Sequence, residues 1–232
     1  MTESCIVVGV GPGLGAAIAR RFARGGFAIG LVSRSEKSTS PVAAEIAAAG
    51  GKSVSAHADV GDEASLTAAI GSITTALGAP SVLVYNASGF GMASFLDLTV
   101  KDFETSFRTS CIGGVIAAKA VLPAMVARGS GTLLFTGATA SLRGGARFAP
   151  FAAGKFALRA VAQSIAREFG PHGVHAAHVV IDGQVDSDAA RSRGATNVLA
   201  PDDVAETYFQ LHAQQKSAWS QEIDLRPSGE KF

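Results

Sequence analysis

Short β-branched runs alternate with longer alanine-rich helical stretches along all 232 residues, and few architectures accommodate that rhythm. It predicts βαβ units, in which helices cover both faces of a parallel sheet. Seven strands are expected: SCIVVGV, FAIGLVS, SVSAHAD, SVLVYNA, TLLFTGA, HAAHVVI and QEIDL. Helix starts are expected at Ser40-Pro41, at Asp62 before EASLTAAI, at Thr99 with Asp102 as a capping box, and at Pro201 before DDVAETYFQLH. No repeat, low-complexity tract or linker breaks the pattern, so residues 1–232 read as one α/β domain, a doubly wound parallel sheet. The stretch 183–200, GQVDSDAARSRGATNVLA, has loop composition and is expected to cover a ligand.

Composition removes several function classes. With 47% hydrophobic and 17% charged residues the chain has the apolar content of a folded domain. A net charge of +1 without a basic block leaves no footprint for nucleic acid or anionic lipid, so the expected partner is a small molecule. The longest apolar candidate, CIGGVIAAKAVLPAMVA, is interrupted by Lys119 and Pro123, and no membrane partner is expected. The apolar start lacks a basic leader and reads as strand and turn. Cys5 and Cys111 stand far apart with neither disulfide nor metal spacing, which fits two core residues in a reducing, cytoplasmic setting. His172, His175 and His178 recur every third residue. Gly170-Pro171 and Gly173 end the helix first, and on a strand His175 and His178 point to opposite faces, so no metal is expected.

The segment Gly9-Val-Gly-Pro-Gly13-Leu14-Gly15 follows the first strand and opens the helix AAIARRFARGG. In that setting glycines let the backbone turn tightly and approach a pyrophosphate, which meets the free N–H groups of the helix start. The expected architecture is therefore Rossmann-type. Past the second strand stand Ser33-Arg34, where an NAD-binding chain carries a carboxylate for the ribose 2′-hydroxyl. An arginine fork pairs with a 2′-phosphate, so NADP(H) is favoured over NAD(H).

With these residues assembled, the chain resembles the short-chain dehydrogenase/reductase family over essentially its whole length. The family's glycine pattern matches Gly9, Gly13 and Gly15; its acidic residue near the adenine matches Asp59, followed by Val60. Its Asn-Asn-Ala-Gly segment becomes Tyr85-Asn86-Ala87-Ser88, and its Pro-Gly segment over the nicotinamide becomes Asp182-Gly183, with Val185 and Ser187 following. The resemblance implies an oxidoreductase with these residues and Lys155 around the cofactor. It also implies a homodimer or homotetramer formed through helices at 101–127 and 149–170.

The resemblance breaks at the catalytic tetrad of Asn, Ser, Tyr and Lys. In register, the tyrosine position is Phe151, the lysine is Lys155, the serine position is Ala138 and the asparagine position is Ser110. Reduction of a carbonyl by hydride leaves an alkoxide that needs a hydrogen-bond donor and then a proton. Phenylalanine supplies neither, and loss of a positioned general acid costs about 10²–10⁴-fold in rate, about 3–5 kcal/mol. Lys155 keeps its implied second role, holding the ribose hydroxyls; alone, it would read as a side chain with a buried stem and a solvated head. Thr139, Ser141, Ser88, Ser110 and Asp182 are the available replacement donors, but loop hydroxyls ordinarily satisfy local backbone and a carboxyl at a strand end ordinarily caps a turn. Arg143 and Arg147, in SLRGGARFAP, either bind an anionic substrate or are solvated; the solvated state is the expectation. Two functions stay open: an NADP(H)-dependent reductase or dehydrogenase of a small carbonyl or alcohol with an unusual proton route, and a catalytically degraded NADP(H)-binding sensor or partner subunit.

Overall fold

The structure, a computed structural model, describes residues 2–192 and 194–229; Met1, Arg193 and residues 230–232, included in the single-domain reading, lie outside the described residues. Seven strands form one parallel sheet: β1 (Ser4–Val8), β2 (Ala28–Ser33), β3 (Ser53–His57), β4 (Val82–Tyr85), β5 (Gly131–Thr136), β6 (Val174–Ile181) and β9 (Glu222–Leu225), in the spatial order β3-β2-β1-β4-β5-β6-β9. All seven expected strands are present. The inner strands β1, β2, β4 and β6 are buried at every position, as strands covered on both faces must be, while the edges β3 and β9 are only partly covered.

The sheet divides the interior into two cores. On one face Ile6, Val8, Leu83 and Tyr85 pack against α3 (Glu63–Leu77), α5 (Gly113–Arg128) and α6 (Ala149–Phe169). On the other, Cys5, Val7, Ile29 and Leu31 pack against α1 (Leu14–Arg24), α2 (Glu36–Ala48) and α8 (Pro201–His212). Each fully buried Ile, Val or Leu contributes about 1.5–3 kcal/mol, so this alternation along every central strand fixes the register. Both cysteines are buried and unpaired, as expected.

Helix starts at Asp62 and Thr99 are as expected: Asp62 Oδ1 accepts from the Ser65 N–H at 2.7 Å, and Thr99 and Asp102 form a reciprocal capping box. The start at Ser40-Pro41 is corrected. Helix α2 begins at Glu36 after Ser35, and Pro41 lies inside it. Pro41 is the sixth residue of that helix, so it is accommodated at the cost of the bond that an N–H there would make to the Lys37 carbonyl. The segment 183–200 is also more ordered than loop composition suggests: β7 (Gln184–Val185) and β8 (Val198–Leu199) form a two-stranded parallel ribbon around the short α7 (Asp188–Ser192).

Helix α4 (Val100–Phe107) runs into α5 through a π-turn at Arg108–Ile112, making one continuous helix over residues 100–128. The Tyr85 hydroxyl donates to the Thr109 carbonyl, replacing a helical partner where the extra residue opens the ladder. By length and composition this helix is apolar enough to cross a bilayer, but Ile116, Ala117, Val121 and Met125 are buried against the sheet.

Candidate active site

The strand order reverses between β1 and β4, and a crevice opens at their carboxyl ends, where ligands bind in open α/β sheets. Gly9, at φ +94°, turns the chain away from β1; a Cβ there would come within 2.5 Å of the Ala87 backbone nitrogen. Asn86 ties the two strand ends together, its Nδ2 donating to the Gly9 carbonyl at 3.0 Å. Helix α1 then begins without a side-chain cap, and the N–H groups of Gly13, Leu14 and Gly15 have no acceptor among the described residues. A Cβ at Gly11 or Gly13 would meet nothing within 4 Å. Open space in front of uncapped N–H groups fits a pyrophosphate.

At the end of β2, Ser33 is buried and turned onto Ser35, its Oγ donating to the Ser35 carbonyl at 2.7 Å. Arg34 is exposed and has no side-chain partner among the described residues. Asp59 is exposed, with Oδ1 accepting from the Gly61 N–H at 2.9 Å, while Val60 is buried in the core beneath.

A cleft of about 870 Å³ continues from this crevice over β5 and α6. Lys155 is 1% exposed, and its Nζ donates to the Thr136 carbonyl at 2.7 Å. Burial brings its ammonium down to about 8, within reach of neutral pH. The other tetrad positions are brought together as the register requires but carry no donor to the cleft. Ala138 presents a methyl to it. Phe151 lines it, with the Lys155 Nζ 5.9 Å from its ring centroid. Ser110 lies in the π-turn, wholly buried, where its Oγ accepts from the Gly89 N–H at 3.0 Å.

Of the possible substitutes, Ser110, Thr139, Ser141 and Asp182 are occupied, whereas Ser88, exposed on the cleft wall, has no side-chain hydrogen-bond partner among the described residues. Ser141 Oγ accepts from the Ala138 N–H at 3.1 Å, and the Thr136 hydroxyl bonds that of Tyr208 at 2.7 Å. Asp182 does not cap a turn. It is 3% exposed, accepts from the Thr139 hydroxyl, and pairs with Arg226 across 2.8 Å, a partner 44 residues on that local sequence gives no sign of. Gly183 (φ +153°) and Val185 line the cleft with Ser88, whereas the Ser187 Oγ accepts from the Ala190 N–H and starts α7.

His175 and His178 are each bonded to a neighbouring segment. His175 Nε2 bonds the Ser220 carbonyl at 2.9 Å, and His178 Nδ1 bonds Glu222 Oε2 at 3.0 Å, on opposite faces of β6. Desolvation pushes His178 down to about 4, so it is neutral. Among the described residues no group of three or more His, Cys, Asp or Glu is placed to hold a metal.

A sequence profile for the short chain dehydrogenase family matches residues 3–198. A short-chain dehydrogenase/reductase of Armillaria gallica is 34% identical over 172 residues, 73% of this chain and 66% of that protein. An inactive 2-(S)-hydroxypropyl-CoM dehydrogenase 2 of Xanthobacter autotrophicus is 32% identical over 170 residues, 73% and 72% of the two chains. The crystal structure of a short-chain dehydrogenase from Rhodopseudomonas palustris superposes with a TM-score of 0.86 at 37% identity, covering 97% of this chain and 98% of that one. A metagenomic short-chain oxidoreductase in complex with NADP superposes with a TM-score of 0.86 at 25% identity, covering 97% of each chain.

Proposed function

The chain belongs to the short-chain dehydrogenase family, and from that premise we propose that it is an NADP(H)-dependent oxidoreductase of a small carbonyl or alcohol whose proton route bypasses the usual tyrosine. The observation that carries the reading is the buried Lys155 ammonium, held in the same crevice as the uncapped glycine turn although its phenolic partner is absent.

The cofactor, when bound, supplies or accepts a hydride. The N–H groups of Gly13, Leu14 and Gly15 meet its pyrophosphate, with Gly9 giving the close approach. Arg34, beside Ser33, pairs with the 2′-phosphate, a preference in keeping with the NADP complex of the metagenomic relative. Asp59, exposed just past β3, would stand beside the adenine, with Val60 supporting it from the core beneath; Asn86, Ala87 and Ser88 would form the wall at β4. With one Nζ proton committed to the Thr136 carbonyl, Lys155 directs the others to the ribose hydroxyls. Gly183 and Val185, which line the cleft, would enclose the nicotinamide side, Ser187 being turned instead to the start of α7, and 183–200 would cover the substrate. Phe151 and Ala138 offer no hydrogen, so the proton comes from water, from a protein hydroxyl such as that of Ser88, or from the substrate itself. Both cysteines being buried and unpaired suits a reducing, cytoplasmic setting.

A second reading, a degraded NADP(H)-binding sensor or partner subunit, draws support from the commitment of Ser110 to Gly89 and from the methyl and ring at positions 138 and 151. One experiment separates the two. NADPH absorbance is followed with a panel of aromatic and aliphatic carbonyls for the natural chain and for Phe151→Tyr/Ala138→Ser. The oxidoreductase reading expects measurable turnover by the natural chain and about 10²-fold more from the double variant. Turnover by the double variant alone establishes the sensor reading. Turnover by the natural chain that is insensitive to Lys155→Met removes the site assignment.

A further inference from the structure

The outer half of the cleft combines two chemistries. Its wall is aromatic: the Phe90 ring lies 5.8 Å from that of Phe148 and 5.4 Å from that of Phe151, the latter edge to face at 72°. Phe90 and Met92 stay 67% and 54% exposed, apolar area that a ligand of matching character would cover. Arg143 also lines the cleft; it is exposed, and its guanidinium has no partner among the described residues.

The other charged groups nearby are taken. Lys155 is bonded to the Thr136 carbonyl, and Asp182 is buried against Thr139 and Arg226. Arg147, which the sequence could not tell apart from Arg143, does not line the cleft. The base of Arg143 is fixed, because its N–H donates to the Thr139 carbonyl at 3.1 Å, one turn beyond Ala138. That bond anchors the Arg143 backbone beside the vacated serine position, and its side chain reaches the cleft from there.

Resting on the reading of this cleft as the substrate site, we infer that it takes an aromatic carbonyl or alcohol bearing a carboxylate, with the ring against Phe90, Phe148 and Phe151 and the carboxylate on the Arg143 fork. Arg143 is exposed, so the ligand's own ring, seated on the apolar wall, would shield the ion pair to the planar fork from water and strengthen it. One guanidinium neutralises one carboxylate; a dianionic phosphate would keep an unpaired charge against an apolar wall.

The test uses 2-naphthoate, which is unreactive, with 2-naphthamide and octanoate as isolated changes of charge and of ring. Calorimetric titration of the full chain, with and without saturating NADP⁺, should show 2-naphthoate binding about tenfold tighter than either. Arg143→Gln should reduce 2-naphthoate to the level of the amide, whereas Arg147→Gln should keep the preference. Equal binding of acid and amide, an unchanged preference in Arg143→Gln, a lost preference in Arg147→Gln, or octanoate matching 2-naphthoate would each overturn the inference. NADPH fluorescence in the same samples reads the cofactor assignment separately. Absent cofactor binding with an intact 2-naphthoate preference would refute the nicotinamide reading and leave the carboxylate site standing.

Discussion

Arg34 and Lys155 are the two side chains on which the cofactor reading turns, and they differ in what surrounds them. Arg34 projects from the end of β2 with no competing acceptor, so its contribution to a 2′-phosphate is separable. Arg34→Ala should weaken NADPH binding about tenfold or more and leave NADH binding unchanged, read by fluorescence titration of both nucleotides. The glycine turn is legible in sequence because it follows the first strand directly, whereas Asn86 and Lys155 are picked out by the family resemblance, the first by its segment after the fourth strand and the second by its four-residue spacing from Phe151. The fates of Ser110, Asp182 and Arg143 are not legible there. Ser110 is committed to a backbone nitrogen 21 residues away and Asp182 to a guanidinium 44 residues away, and Arg143 is separated from Arg147 only by the path of the loop between β5 and α6. Hydroxyls and charges acquire their roles from neighbours that only the folded chain supplies.

Between elements, the contact of β6 with β9 carries a pH response. His178 is fully buried, and Lys155, Arg159 and Glu222 surround it electrostatically; Arg159 forms a fork to Glu222 with both bonds at 2.7 Å. The His178 imidazole is shifted from 6.5 to about 4, so the fold favours its neutral form. Its stabilising contribution is complete above the unfolded value of 6.5 and is lost as pH falls toward 4, because the unfolded chain then binds the extra proton. Urea denaturation should show about 2 kcal/mol less stability at about pH 5 than at about pH 7.5, a difference much reduced in His178→Gln. Glu222, held below its ordinary range chiefly by its hydrogen bond from Arg159, adds its own loss at lower pH still. At this scale sequence reading succeeded where elements were long and periodic. It misplaced the start of α2 because proline is tolerated early in a helix, and it passed over β7 and β8 because two-residue strands show no alternation.

Across the whole molecule, the alternation of elements accounts for a parallel sheet with a core on each face, while the order of its strands is set by the fold; apolar side chains left on the surface bear on assembly. Phe107 and Phe156, on the helices proposed to pair subunits, are 37% and 42% exposed. Light scattering should give a mass two or four times 23.5 kDa, and Phe156→Glu should shift it toward the single chain. Stability of the cleft also depends on residues remote from it. Arg226→Met would strand the Asp182 carboxylate in the interior and should cost about 3 kcal/mol, measured by thermal or urea unfolding. Neither Arg226 nor Pro227 opens onto the cleft, yet the first braces its buried acid and the second lies where a side chain at position 183 would need to go. Arg226 and Pro227, just past the last strand, therefore act as a keel: a change in either reshapes the ligand's berth from below without ever touching the ligand.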